Sequence, residues 1–400
     1  MKKTIAGVVV VVLLAIGFFA SASYINSINE KTFAQMSQDT IYYSVEDANY
    51  TKGLLNSKGS FIATLNDLPY TFKVNIDFSN NFFASNNAIV SILNENEDLK
   101  GIFPNEEIFK ILVSVKGGDI NINAKINDIN FTRNDTNLVL NNTSFKITGS
   151  EEFVKNMELN LGYVLLDQLS REEKLDQLSR EEKFEAKNIK ISEFPLEKLS
   201  FNNIFNPSRN SEQNISIDSA NFISSITFDF DKLKIFAKTA QNAQNDYDSV
   251  LKLDLAKFNL ANENFILNNI NLDMNFNNLS KKAYDSLVQN SNTDIFSMML
   301  LASQFLKANP QIILNNLSFE KEGKKFDANG QTIFTENNIK SQFHANTEIL
   351  PSQIWPDFAN FDTYFVDNNG SYVLDFIYDD SNKSDVTTII NGERLIIDPQ

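Results

Sequence analysis

Hydrophobic periodicity predicts a mainly β protein of the α+β kind: antiparallel, rich in hairpins, with elongated or curved sheets and a few packed helices. Three observations carry this. Apolar residues alternate with polar ones at Ile120, Ile122, Ala124 and Ile126, at Ile226, Phe228 and Phe230, and at Leu272, Met274 and Phe276. A period of two with one polar side describes a sheet covered on one face and wet on the other. Glycine-bearing pairs then punctuate these runs, and the long helical periodicities of an α protein are missing over most of the chain.

The turns come first. Gly117-Gly118 separates residues 111–115 from 120–126, Asn369-Gly370 separates 364–366 from 372–378, and Asn391-Gly392 separates 387–390 from 394–397. Two-residue hairpin turns need positive φ, which Asn and Gly supply at low cost. The polar strand positions are written largely in Asn, a poor strand former, and this reads as compositional drift. Helices are expected at Ile28–Met36, at Lys281–Val288 and at Thr293–Ala308. In the last, Thr293 serves as N-cap and Pro310 stops the chain. The apolar, Met-bearing side of that helix reads as a face packed on a sheet.

The first residues set an address. Lys2 and Lys3 precede an unbroken apolar run, Ile5 to Ala20, which predicts one N-terminal transmembrane helix with the body of the chain on the far side of a membrane. The run is slightly shorter than the ~20 residues that span a hydrocarbon core. Ala20-Ser21-Ala22 also has the small-x-small form of a cleavage site, so removal as a signal peptide is the alternative. The domains expected are 1–23 as signal-anchor or signal peptide, 24–192 as a first β-rich half, 193–213 as a linker marked by Pro195, Pro207 and Ser208, and 214–400 as a second β-rich half with helices near 281–308.

Composition narrows the chemistry. The 400-residue chain has a formal charge of −16, no cysteine and one histidine, His344. The acidic balance disfavours nucleic acid and anionic head groups as general partners. Absence of cysteine removes disulfides, thiolate nucleophiles and thiolate metal sites. Scarcity of imidazole removes most general-base and transition-metal mechanisms. Ser318-Phe319-Glu320-Lys321 matches S-x-x-K, but that chemistry requires the Ser at a helix start with the Lys one turn on, and here the segment alternates like a strand. No catalytic residue, cofactor or metal is expected, and the protein reads as a non-enzyme. The lone Trp355, between Pro351 and Pro356, reads as part of a capping loop.

Two further patterns stand out. Leu166–Lys174 reads LDQLSREEK and Leu175–Lys183 repeats it, with Asp167 and Arg171 four apart as on an exposed helix. Nine residues make two and a half helical turns, so both copies cannot face one core, and the repeat reads as a tolerated duplication in an exposed segment. Four segments have the form D/E-x-N-x-S/T preferred by bacterial oligosaccharyltransferases, around Asn49, Asn214, Asn369 and Asn382. Asn382 in a polar loop, Asn369 in a turn and Asn214 at the linker are the expected N-glycosylation sites, ahead of Asn49.

Three segments in order resemble the YdgA-like family of bacterial envelope proteins, whose function is not established. They are Tyr50-Thr51-Lys52-Gly53-Leu54-Leu55-Asn56-Ser57, then an apolar helix followed by Asn309-Pro310 and a strand leading to Glu322-Gly323, and a terminal strand entering Asn391-Gly392. The resemblance implies an inner-membrane-anchored, single-pass protein with a β-rich periplasmic body, or a soluble periplasmic one if the leader is cleaved. It brings no catalytic residues. Two roles come first, a structural or adaptor protein contacting another envelope component, or a lipid-handling protein whose apolar strand faces form a groove, with an enzyme of unknown type as the third reading. A closed core favours the first, and an open apolar sheet favours the second.

Overall fold

A computed structural model describes residues 29–40, 43–53, 56–66, 70–79, 87–100, 103, 106–116, 118–133, 136–150, 152–169, 181–199, 210–289 and 295–395. Antiparallel strands dominate, with few helices. The apolar run Ile5–Ala20 lies outside the described residues. Among the described residues no helix is long and apolar enough to cross a membrane. The chain divides into two compact units, Met1–Ser208 with Ala220–Ser225, and Arg209–Ser219 with Ile226–Gln400.

The first unit begins with helix α1 (Asn29–Met36) and strands β1 (Tyr43–Thr51), β2 (Asn56–Leu65), β3 (Thr71–Ser79) and β4 (Ala88–Asn94). After the short helix α2 (Glu97–Lys100) come β5 (Glu107–Lys116), β6 (Asp119–Ile126), β7 (Ile129–Arg133), β8 (Thr136–Ser150), β9 (Val154–Leu169) and β10 (Glu181–Pro195). Each strand pairs antiparallel with the next, except that β6 and β7 both pair with β8.

Strict alternation makes one face of this sheet a closed core. Ile120, Ile122, Ala124 and Ile126 on β6 are buried and the residues between them exposed. Phe61, Phe72, Ile76, Val90, Ile111 and Ile147 join them at 1 % exposure or less. Each such side chain withdrawn from water contributes roughly 1.5–3 kcal/mol. Phe33 and Met36 of α1 close the core from above, with the Phe33 ring 6.1 Å from Phe61 and 5.4 Å from Tyr50. Burial pushes the Tyr43 hydroxyl up to about 12, because an ionised phenolate there would lose its hydration.

The second unit contains β12 (Phe228–Gln241), β13 (Tyr247–Leu260), β14 (Phe265–Leu279), β15 (Gln311–Lys321), β16 (Lys324–Phe334), β17 (Ile339–Thr347), β18 (Val366–Asn368), β19 (Ser371–Asp379), β20 (Thr387–Ile390) and β21 (Glu393–Arg394). Strand β11 (Ser211–Ile223) contributes residues to both units. Strands β12 to β17 form a meander, β17 then pairs with β19, and β19 pairs with β18 and β20. Helices α3 (Lys281–Gln289) and α4 (Ile295–Lys307) connect β14 to β15. Helix α5 (Pro351–Ile354) and a 3-10 segment, Pro356–Tyr364, connect β17 to β18 at the opposite end of the sheet.

The expected hairpins close as two-residue turns: Lys116 pairs with Asp119, Asn368 with Ser371 and Ile390 with Glu393. Asn369, Gly370, Asn391 and Gly392 all have positive φ, as does Gly118, while Gly117 lies outside the described residues. The expected helix over 281–288 is present, as is the one over 293–308, although Thr293 lies outside the described residues. Strand enters the 193–213 stretch from both sides, since β10 ends at Pro195 and β11 begins at Ser211.

Four expectations are corrected. The described flanks of the duplicated LDQLSREEK are strand, not helix: Leu169 pairs with Glu181, Gln168 with Glu182 and Asp167 with Lys183. Residues 170–180 lie outside the described residues. Ladder pairing overrides the helical propensity of Leu, Gln, Arg and Glu. Asn214 is a half-buried residue within β11, not a linker residue, because strand pairing starts earlier than the Pro and Ser content indicates. Ile226 is 58 % exposed and precedes β12 instead of belonging to it. Finally, the Asn content is not drift alone: nine of the twelve described non-glycine residues with positive φ are Asn, the residue whose short polar side chain tolerates the left-handed region best after Gly.

Two of these Asn act in mid-strand. Asn142 on β8 (φ 53°) and Asn188 on β10 (φ 50°) flank Gly162 on β9. A β-carbon at Gly162 would stand 2.7 Å from the Asn142 Cβ. Pairing continues on both sides, from Asn141–Tyr163–Lys187 to Thr143–Leu161–Ile189. The apolar positions nevertheless pass from even numbers (Leu140, Val164, Ala186) to odd ones (Phe145, Leu161, Ile189) across this line. A left-handed residue adds local twist and re-aims the side chains that follow it.

Candidate functional site: an uncharged sheet face in the second unit

Residues directly opposite each other in an antiparallel ladder share a face, so the registers define continuous rows across strands. One row reads Ala237, Leu251, Met274, Leu314, Gly330, Phe343, Phe376 and Ile390, from β12 to β20. The adjacent row reads Ile235, Leu253, Leu272, Leu317, Ala328, Ala345 and Leu374. On the other side lies a third: Thr239, Ser249, Phe276, Ile312, Thr332, Ser341, Tyr378 and Thr388. None of these residues is charged.

Over the span of these three rows, charge is confined to the opposite face. Lys252 stands against Asp273 at 3.0 Å and Lys340 against Asp379 at 3.2 Å. Hydrogen bonding from Asn315, reinforced by Lys252, holds Asp273 below the usual carboxylate range. That face also carries His344, whose Nδ1 is 2.7 Å from Asp375 Oδ1. A hollow of about 600 Å³ passes over Asn329, His344 and Asp375.

The two faces differ in what covers them. In the first unit the apolar face of β2 to β6 is buried throughout. Here every residue of the central row, Leu251, Phe343 and Phe376 included, is half-buried. Only Ala328 and Ala345, small residues between larger neighbours, are buried among the apolar positions of the three rows. Such a row spans about seven strand spacings, ~34 Å. The strands themselves are capped at both ends. At one end Lys281 Nζ donates to Tyr247 Oη at 2.6 Å, and the Tyr284 ring lies 5.2 Å from that of Tyr247. At the other, Lys321 Nζ donates to the carbonyls of Gln353 and Ile354, and Trp355 meets Phe265 edge-on at 5.1 Å.

The other sequence-derived positions fall as follows. Ser318 and Lys321 are three apart on β15, hence on opposite sides of the strand, and Lys321 caps α5. Ser318 and His344 share the polar face, but two strand spacings and one residue pair separate them, about 12 Å. No nucleophile–base pair is assembled from them. Tyr50 is half-buried between Phe33 and Phe78, Ser57 is buried and accepts from the Gly53 amide at 3.4 Å, and Leu54 lies outside the described residues. This segment is therefore the tight connection from β1 to β2. Pro310 is buried and its carbonyl accepts from Phe334 N. Gly323, at φ 76°, closes the β15–β16 turn. Asn391 Nδ2 donates to Tyr364 O at 2.7 Å, tying β20 to the 3-10 segment.

Of the four sequons, Asn49 and Asn214 lie within strands, Asn369 in a two-residue turn, and Asn382 in the exposed bend between β19 and β20. Among the described residues no group of three or more His, Asp or Glu is disposed to hold a metal. Fold and face together define a mainly β protein with a packed apolar face in the first unit and a half-open uncharged face in the second. No family model matches the chain, and no curated protein or solved structure matches it either.

Proposed function

We propose that this is a non-enzymatic, membrane-anchored periplasmic envelope protein of the YdgA-like kind, and that its second unit holds the acyl chains of a lipid. One observation carries the lipid reading: the apolar residues of the charge-free rows from β12 to β20 are half-buried except Ala328 and Ala345, whereas the apolar face of β2 to β6 in the first unit is a closed core. A face of that width left to water would be an aggregation liability, and a long flexible hydrocarbon is the ligand whose shape it fits. The row is also longer than the ~15 Å that one leaflet's chains occupy. The structural or adaptor role remains the reading for the first unit, whose strands β2 to β6 form a closed core.

The experiment is lipid extraction and mass spectrometry of the purified chain beside a control protein. Bound lipid is expected with the native chain and with Lys238→Glu, on the charged face. It is expected to be lost with Leu251→Glu or Phe343→Glu, with circular dichroism melting used to establish that those variants fold. Lipid absent from the native chain, or retained in both row variants, overturns the reading. His344→Ala and Ser318→Ala are expected to complement a knockout fully, and failure of either with the fold intact would reinstate an enzyme.

A further inference from the structure

The third row differs from its neighbours in carrying hydroxyls. Thr239 and Ser249 satisfy each other at 2.8 Å, and Thr332 and Ser341 at 2.9 Å. Tyr378 follows, and then Thr388, which is 6 % exposed and whose Oγ1 has no hydrogen-bond partner. A buried hydroxyl without a partner has lost the hydrogen bonds it made to water, so a polar group supplied from outside is favoured there. The cations near Thr388 already face carboxylates: Lys383 is 2.6 Å from Asp380, and Arg394 pairs with Asp385. The row itself holds no Lys, Arg or His.

From this we infer that the polar head of the bound lipid sits along the hydroxyl row, against Thr388, and that the head is uncharged and bears ester or hydroxyl oxygens, as in a glyceride. This rests on the acyl-binding reading above and adds its head-group class. Hydroxyls exchange hydrogen bonds with ester carbonyls and alcohols without a charge to neutralise. A phosphate or free carboxylate would instead enter a desolvated, cation-free row with its charge uncompensated. Chains would then lie over the two apolar rows, from Leu251 to Phe376 and from Leu253 to Leu374.

Displacement of a bound fluorescent acyl probe from the full chain in detergent tests this, using dioleoylglycerol, dioleoylphosphatidylglycerol and oleic acid as competitors. Dioleoylglycerol is expected to displace at tenfold or more lower concentration than the two anionic lipids. Thr388→Val is expected to narrow that gap at least threefold without lowering probe affinity, and Ser341→Ala serves as a second variant if Thr388→Val melts early. Equal or better displacement by the anionic lipids, or an unchanged gap in both variants, overturns the head-group inference while leaving acyl binding intact. Failure of the probe to bind at all overturns acyl binding as well.

Discussion

Gly59 on β2 lies directly beneath the ring of Phe33 on α1, so close that a β-carbon there would stand 2.3 Å from the ring. The helix is thereby seated on the first sheet by an absent side chain. Phe33 reaches Phe61 and Tyr50 only because the strand offers backbone at that point.

Gly59→Ala is therefore expected to destabilise the first unit by about 2 kcal/mol, the usual scale for overpacking a core. Phe33→Leu should cost stability alone yet recover part of the loss when combined with Gly59→Ala, because the two changes share one space. Denaturant melts of the four proteins supply the cycle. Additive losses would show that α1 does not press on Gly59.

Deleting Leu175–Lys183 should leave the β9–β10 hairpin in register. The first copy's Glu172-Glu173-Lys174 then takes the place of Glu181-Glu182-Lys183, because the two copies are identical. Ser170-Arg171 is left between Leu169 and its partner, the length of a two-residue hairpin turn. Shortening the connection favours folding by about 1 kcal/mol, and forcing Ser and Arg to positive φ costs about 1–2 kcal/mol each. Stability is expected to fall by about 1–3 kcal/mol, with amides near Leu166 and Phe184 still protected from hydrogen exchange. Lost protection there would mean that the second copy sets the pairing.

In a host with the modifying enzyme, Asn382 and then Asn369 are expected to carry glycan ahead of Asn214 and Asn49. The acceptor must leave the fold to enter an enzyme, which an exposed bend permits at low cost and a paired strand does not. Glycopeptide mapping reads the order directly, and occupancy of Asn49 or Asn214 with Asn382 bare would reverse it.

Acid should loosen the β19–β20 connection first. Asp379 is held down to about 2 by hydrogen bonds from Ser381 and by Lys340. Asp380 is lowered as well, by Lys383 and the Ile339 amide. A carboxyl whose folded pKa is depressed stabilises the fold above its ordinary value of 3.8. That contribution fades as pH falls toward about 2. Proteolysis within residues 380–385 is expected to rise between these limits, Asp379→Asn should weaken the pH dependence, and Asp379→Asn with Asp380→Asn should abolish it at neutral rates already raised. A flat profile in the native chain would deny the two carboxyls this role.

The sequence alone determined the mainly β class, the hairpin turns and the helices over 281–288 and 295–307. Period-two alternation, paired Asn and Gly, and a Pro after an apolar helical stripe are local signals that tertiary contact had no reason to override. The even-to-odd slip of apolar positions at Asn142, Gly162 and Asn188 was also present in the sequence, but it became readable only once their backbone angles and cross-strand partners were known. Register decided the rest. Which residue stands opposite which turned scattered Leu, Phe, Thr and Ser positions into charge-free rows, took the LDQLSREEK flanks from helix into strand, and separated Ser318 from His344. Alternation assigns each residue to one side of its own strand, whereas only the pairing of distant strands says which sides are joined and whether anything covers them.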